Sequence, residues 1–251
     1  MKKFTLLLGA LVMVASSAVA LSGCAGAGEV VGSGKPITQE YDVSQLNLPE
    51  FIIVAAENGM QVSITQSENW SLSLTADDNI FKYVVIDTEG YTLKIGLDET
   101  LTYRNVTMKA VIAMPSIVGL SLNEGSVGTI SGFNALEPLE NFSLKLIGGS
   151  QVTGNITTGD CQFDLSGGST VQLFGSGGDT RITASDASHL NLANFQIDNA
   201  KVYLNKGSEA TITARGELSG ELLGGSQLFY YGNPTLGPVE SSGGSSIKKI
   251  G

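Results

Sequence analysis

A Gly-Ser pair recurs along the second half of the chain, at Gly125-Ser126, Gly149-Ser150, Gly168-Ser169, Gly207-Ser208, Gly225-Ser226 and Gly244-Ser245. Ala187-Ser188 fills the one gap, and the seven serines lie 24, 19, 19, 20, 18 and 19 residues apart. A near-constant period of this length marks a solenoid, in which each repeat is one coil that buries its apolar side against its neighbours.

The side chains around each serine give the coil its secondary structure. Positions six and four before it, and two and four after it, share a strand face if the segments are extended. They hold residues such as Leu144, Leu146 and Val152, then Phe163, Leu165, Val171 and Leu173; of 28 such slots, 23 are apolar. The intervening slots are apolar in only three of 21, Val127, Tyr203 and Phe229. That contrast is period-two alternation, so each coil reads as strand, corner, strand with one face inside. A repeat of about 19 residues is too short for two helices, and no 3.6-residue period supports them. The fold expected is therefore all-β, a parallel β-helix of about seven recognisable coils with an irregular N-terminal β cap. Parallel crossovers are almost always right-handed, so a right-handed helix is expected. The serines at 126, 150, 169, 188, 208, 226 and 245 are read as a structural corner ladder, small and hydroxylated, bonding to local backbone or to the next coil.

The N-terminus resembles a secretory leader. Lys2 and Lys3 precede an apolar run from Phe4 to Leu21, followed by Leu21-Ser22-Gly23-Cys24. This is similar to a bacterial lipobox, which implies removal of residues 1–23 and lipidation of Cys24. A lipid anchor at Cys24 would place the protein at the cell envelope, with the outer membrane expected. Residues 24–36, rich in Gly and Ala, read as a flexible tether. Residues 37–119 carry alternating segments near 51–55, 60–66, 71–76, 83–87, 91–96 and 106–113 and read as β structure capping or continuing the solenoid; 120–251 form the repeats. At the far end, Lys249 falls in an inward slot and is expected to blunt the last coil.

Loss of Lys2 and Lys3 with the leader leaves 12 basic against 24 acidic residues, an excess that argues against nucleic acid as a partner. With Cys24 carrying lipid, Cys161 has no disulfide partner; it shares parity with Phe163 and is expected buried and inert.

Candidate chemistry is sparse. His189 is the only histidine, and adjacent Ser188 and His189 point to opposite strand faces, so a Ser188-His189-Asp186 triad is not expected. Asp160, Asp179 and Asp198 precede successive corner serines by nine or ten residues. They are weak calcium candidates if they stack as an acidic column, and turn formers otherwise. No other cofactor is expected.

Several motifs then occur in order: Val31-Gly32-Ser33-Gly34, Asn58 to Gln66, Asp77-Asp78-Asn79, Met114-Pro115-Ser116-Ile117, the recurrent Gly-Gly-Ser and Tyr231-Gly232-Asn233-Pro234. Together they resemble the putative auto-transporter adhesin head, or GIN, domain family over roughly 37–235. The resemblance implies an adhesin-like envelope β-helix protein and carries over no catalytic residue. The function expected is a non-enzymatic lipoprotein presenting a β-helix surface for adhesion, glycan binding or scaffolding, with a glycan or envelope protein as partner. The alternative is a polysaccharide lyase or hydrolase, drawing on Asp160, Asp164, Asp179, Arg181, Asp198, Lys201 and Arg215, with Asp179 and Arg181 near enough to pair.

Overall fold

The structure is a computed structural model that describes residues 28–41, 43, 50–134 and 140–251. The leader, Cys24 and the first residues of the expected tether lie outside the described residues. Among the described residues there is no α-helix; strands stack in parallel into a β-solenoid with a ten-stranded and an eleven-stranded sheet.

One coil shows how the sequence builds the rest. Strand Cys161–Leu165 runs into a corner at 166–169, strand Thr170–Gly177 follows, and a two-residue corner leads to strand Thr180–Ala184. The latter pairs in parallel with Cys161–Leu165, placing Ile182 beside Phe163 and Ala184 beside Leu165. Leu190 lies in register with Val171 on the other sheet. Phe163, Leu165, Val171, Leu173, Ile182, Ala184, Leu190 and Leu192 are all buried, as the alternation requires. Each buried Val, Leu, Ile or Phe side chain contributes roughly 1.5–3 kcal/mol over its exposed state.

The four-residue corner has a fixed backbone form. The two residues before each serine have positive φ, as in Gly167 and Gly168 at +67° and +75°, and so do the non-glycine pair Asp186 and Ala187 at +58° and +59°. Two consecutive left-handed residues reverse the chain tightly, which explains the glycine preference there.

The N-terminal region stacks out of sequence order. Strands Ile53–Ala56 and Gln61–Gln66 pair with Gly119–Leu122 and Val127–Asn134, so they form a coil directly beneath the repeats. Strands Thr92–Leu97 and Met108–Met114 then pair with the far side of that coil. Beyond them the direction reverses. Val84–Glu89 is antiparallel to Thr92–Leu97, Ser71–Asp77 is antiparallel to Met108–Met114, and Pro36–Tyr41 is antiparallel to Ser71–Asp77. These antiparallel strands end the parallel stack and cover its core.

Part of the expected tether is ordered instead. Glu29–Val31 is a strand parallel to Thr102–Arg104, and Arg104 pairs with Glu29 at 3.0 Å. Ser33 N–H donates to Asn79 Oδ1 at 3.0 Å, Asn79 Nδ2 donates to Val31 O at 2.8 Å, and the Gly32 N–H reaches Arg104 O at 3.0 Å. A β-carbon on Gly32 would lie 2.3 Å from Asn105 O, so glycine permits this close approach. Below it Asp77 is fully buried; its Oδ2 accepts the Thr107 N–H at 2.9 Å and its Oδ1 has no hydrogen-bond partner. Gly- and Ala-rich composition suggested flexibility, whereas these long-range bonds fix the segment.

At the C-terminal end Lys249 is exposed rather than inward. Its Nζ donates to Asn233 Oδ1 at 2.6 Å. With no coil stacked on strand Ser246–Lys249, the side chain can leave its slot and keep its charge in water. Pro238 interrupts the donor row of the other terminal strand, Thr235–Ser241, and edge Pro and Lys both discourage strand addition.

Candidate binding surface

The corner serines are the most repeated polar side chains, and their environment fixes their role. Ser126, Ser150, Ser169, Ser188, Ser208 and Ser226 are buried, while Ser245 in the terminal coil is part-buried. The hydroxyls of Ser126, Ser150, Ser169, Ser188 and Ser226 donate to the carbonyl three residues back at 2.7–2.8 Å. Several also accept from the neighbouring coil: the N–H groups of Ser169, Ser188 and Ser226 reach Ser188, Ser208 and Ser245 Oγ at 3.2, 3.3 and 3.1 Å. Met60 occupies the serine position of the N-terminal coil, and its N–H completes the ladder on Ser126 Oγ at 3.2 Å.

Ser188 therefore has its proton committed to Ser185 O and its lone pair to the Ser169 N–H, with no room for a substrate. His189 points outward, and Asp186 bonds to Lys206 at 2.8 Å. The Lys206 ammonium, helped by the Ser185 hydroxyl, holds the Asp186 carboxyl below its ordinary range. Ser188→Ala is expected to cost about 1–3 kcal/mol, because it strands the buried Ser169 N–H. Urea denaturation measures this; an unchanged midpoint would show that the ladder contributes nothing.

The three aspartates do not form one column. Asp160 Oδ1 accepts the Asp179 N–H at 3.0 Å, and Asp179 Oδ1 accepts Asn199 Nδ2 at 2.8 Å. Asn199, in turn, accepts the Glu217 N–H at 2.7 Å. Asn199 thus holds the position expected for Asp198. The register slips by one residue between the pairs Gln172–Asn191 and Phe174–Asn194, which moves Asp198 aside to pair with Arg215 at 2.6 Å. These side chains tie corner backbone to corner backbone. Among the described residues no three or more His, Cys, Asp or Glu side chains are grouped to hold a metal ion.

The residues considered for glycan cleavage are also dispersed. Asp164 accepts Gln162 Nε2 at 2.6 Å. Arg181 does not pair with Asp179; its guanidinium lies over the Tyr203 ring, 4.4 Å from the centroid, with Lys201 Nζ 5.6 Å from the same centroid. Asp179 and Lys201 line a surface depression of about 340 Å³ with Asn199, Glu217 and Ser219. Cys161 faces the core, and burial pushes its thiol up to about 12.

The main surface feature is a segregation of charge between the two sheets over the seven strands from Gln61–Gln66 to Gln227–Tyr231. On the flanking strands of the eleven-stranded sheet Glu40, Lys109 and Lys248 are exposed. On the eleven-stranded sheet, outward positions from Gln61–Gln66 through Gln227–Tyr231 carry rows such as Ser63, Thr129, Thr153, Gln172, Asn191 and Thr211. The only acidic or basic side chains among these outward residues are His189 and Glu209, which lie side by side. Phe174 and Tyr231 are exposed on the same face, at 41% and 38%. The ten-stranded sheet presents Lys145, Asp164, Arg181, Lys201 and Glu221 instead. In the sequence the difference lies between the slots after each serine, which are mostly neutral, and those before it, which carry the charges.

Several solved structures share the architecture. A putative adhesin from Bacteroides fragilis is 22% identical with a TM-score of 0.76, covering 88% of this chain and 100% of that one. A putative adhesin from Parabacteroides merdae is 13% identical with a TM-score of 0.64, covering 90% and 100%. A putative lipid binding protein from Parabacteroides distasonis is 16% identical with a TM-score of 0.60, covering 89% and 100%. No curated protein matches the sequence. Residues 50–234 match a family whose description is putative auto-transporter adhesin, head GIN domain, and by that match the chain belongs to this family.

Proposed function

We propose that the protein is a non-enzymatic adhesin of the cell envelope whose eleven-stranded sheet binds hydroxyl-rich, uncharged glycan chains. The observation that carries this reading is the nearly charge-free outer face of the seven strands from Gln61–Gln66 to Gln227–Tyr231, in a chain of formal net charge −10. Amides and hydroxyls in rows about 4.8 Å apart offer repeated donors and acceptors at modest desolvation cost. Exposed Phe174 and Tyr231 offer flat apolar contact for sugar ring faces. A stacked-coil scaffold suits this role, because an extended surface binds by many weak contacts. Retention of the purified mature protein on immobilised neutral polysaccharides such as dextran and xylan tests the reading. Specific retention of the folded protein is expected; passage through every such matrix would reject it.

Anchoring belongs to the same proposal. Leu21-Ser22-Gly23-Cys24 supports lipidation of Cys24, and the ordered clamp from Glu29 onward would hold the chain close to the membrane end of its tether. Two membrane signals usually secure stable attachment, and diacyl modification of one cysteine supplies more than one chain. In the native host, Cys24→Ser is expected to shift the protein from the membrane fraction to the soluble fraction and to abolish fatty-acid labelling. Retention in the membrane with no labelled lipid in either form would contradict it.

A further inference from the structure

The ten-stranded sheet carries a second surface feature, independent of the uncharged face. Arg181 and Lys201 are directly in register on strands Thr180–Ala184 and Ala200–Leu204. Like charges placed opposite one another on a sheet repel. The chain has 24 acidic residues against 14 basic ones, so a compensating carboxylate would be easy to supply. Lys94, Arg104, Lys206 and Arg215 each have one within 4.0 Å; among the described residues Arg181 and Lys201 have none. The same is true of Lys145 and several other lysines, but only these two cations are paired in register. The acids closest in the weave are engaged elsewhere: Asp179 with Asn199, Asp164 with Gln162, Asp198 with Arg215. Glu221, in register with Tyr203 on the next strand, Glu217 at the start of that strand and Asp179 in the adjoining depression limit the positive field to a small spot.

Tyr203 organises the two cations. A guanidinium stacked over an aromatic ring is oriented while its in-plane N–H groups stay free, the arrangement that suits a bidentate oxoanion. Lys201, the largest influence on Tyr203, pulls its phenol below the ordinary value, which agrees with a cation held against the ring and its hydroxyl. Beside them lies the depression of about 340 Å³, where exposed Asn199 and half-buried Ser219 are polar groups able to meet sugar hydroxyls next to a bound acid group.

We propose that Arg181, Lys201 and Tyr203 form a subsite for the carboxylate of a uronate-containing polysaccharide, on the face opposite the neutral-glycan surface. The overall acidity of the chain limits such a ligand to this one spot, so binding should be weak per site and sensitive to salt.

Affinity electrophoresis and calorimetry with polygalacturonate as probe test the proposal, with dextran in parallel. Wild-type protein is expected to bind polygalacturonate at low salt and to lose it as salt rises. Arg181→Gln should weaken that binding about tenfold or more, with the melting temperature and dextran binding unchanged. Tyr203→Ala should weaken it less, and Arg181→Lys should recover it only in part. Polygalacturonate binding that ignores Arg181→Gln would overturn the subsite. Equal displacement by inorganic phosphate would overturn the uronate assignment in favour of a general anion spot. Dextran binding without any polygalacturonate binding would remove this subsite while leaving the neutral-face reading intact, and the reverse result would do the opposite.

Discussion

Replacing Gly175 with alanine is expected to destabilise the protein by about 3–5 kcal/mol, the range reserved for changes that a packed backbone cannot absorb. Gly175 lies in strand Thr170–Gly177 with φ at +123°, and a β-carbon there would sit 2.1 Å from Ile156 O in the adjoining coil. Relief would require the two coils to part, breaking hydrogen bonds on both sides of the bend. Gly168→Ala provides the contrast. Its φ is also positive, at +75°, but nothing lies within 4 Å of the new carbon. Only backbone strain of about 1–2 kcal/mol is expected there, and Ala187 already occupies the equivalent corner position with φ at +59°. Urea unfolding of both variants separates the two causes. Equal losses would mean that backbone conformation, rather than contact between coils, dictates these glycines.

A second large loss is expected at the middle of the stack. Phe195 is fully buried and meets Phe163 edge to face, with centroids 6.1 Å apart. It sits where strand His189–Ile197 slips register against Glu209–Ala214, and its ring lies 3.0 Å from the point where Gly177 would carry a β-carbon. The ring therefore fills space left by the glycine in the coil beside it. Phe195→Ala should cost about 3–5 kcal/mol, through lost burial and a cavity that rigid coils close only partly. Phe195→Leu should retain much of the stability. A loss below about 1 kcal/mol for the alanine variant, read from thermal and urea unfolding, would show that the bulge repacks.

The repeats were legible in the sequence because each coil solves the same packing problem. Leu144, Phe163, Ile182 and Val202 recur at one slot, and the structure stacks them in register. Three features were hidden for physical reasons. Ile53 pairs with Gly119 across 66 residues, and local alternation cannot encode which coil lies beside which. Met60 disguises a corner of the same form because it lacks the marker serine, although Asn58 and Gly59 retain positive φ at +62° and +69°. A single slipped residue after Asn191 was enough to replace Asp198 by Asn199 in the corner ladder. The candidate surface was legible only in part: each outward residue could be read, but its sheet could not be assigned without the coil geometry.

The proposed binding surface is the nearly uncharged outer face of the strands from Gln61–Gln66 to Gln227–Tyr231. Thr153 and Asn191 flank Gln172 in one outward row, and all three are exposed. Quantitative retention on the neutral polysaccharide that binds wild type should be compared with that of the Thr153→Glu, Asn191→Glu double variant. The two new carboxylates are separated by the Gln172 strand, so folding should be preserved, with an unchanged circular dichroism spectrum and melting temperature. Binding about tenfold weaker or more is predicted, because carboxylates must be desolvated where neutral groups met the glycan. Full retention by the folded double variant would contradict the account.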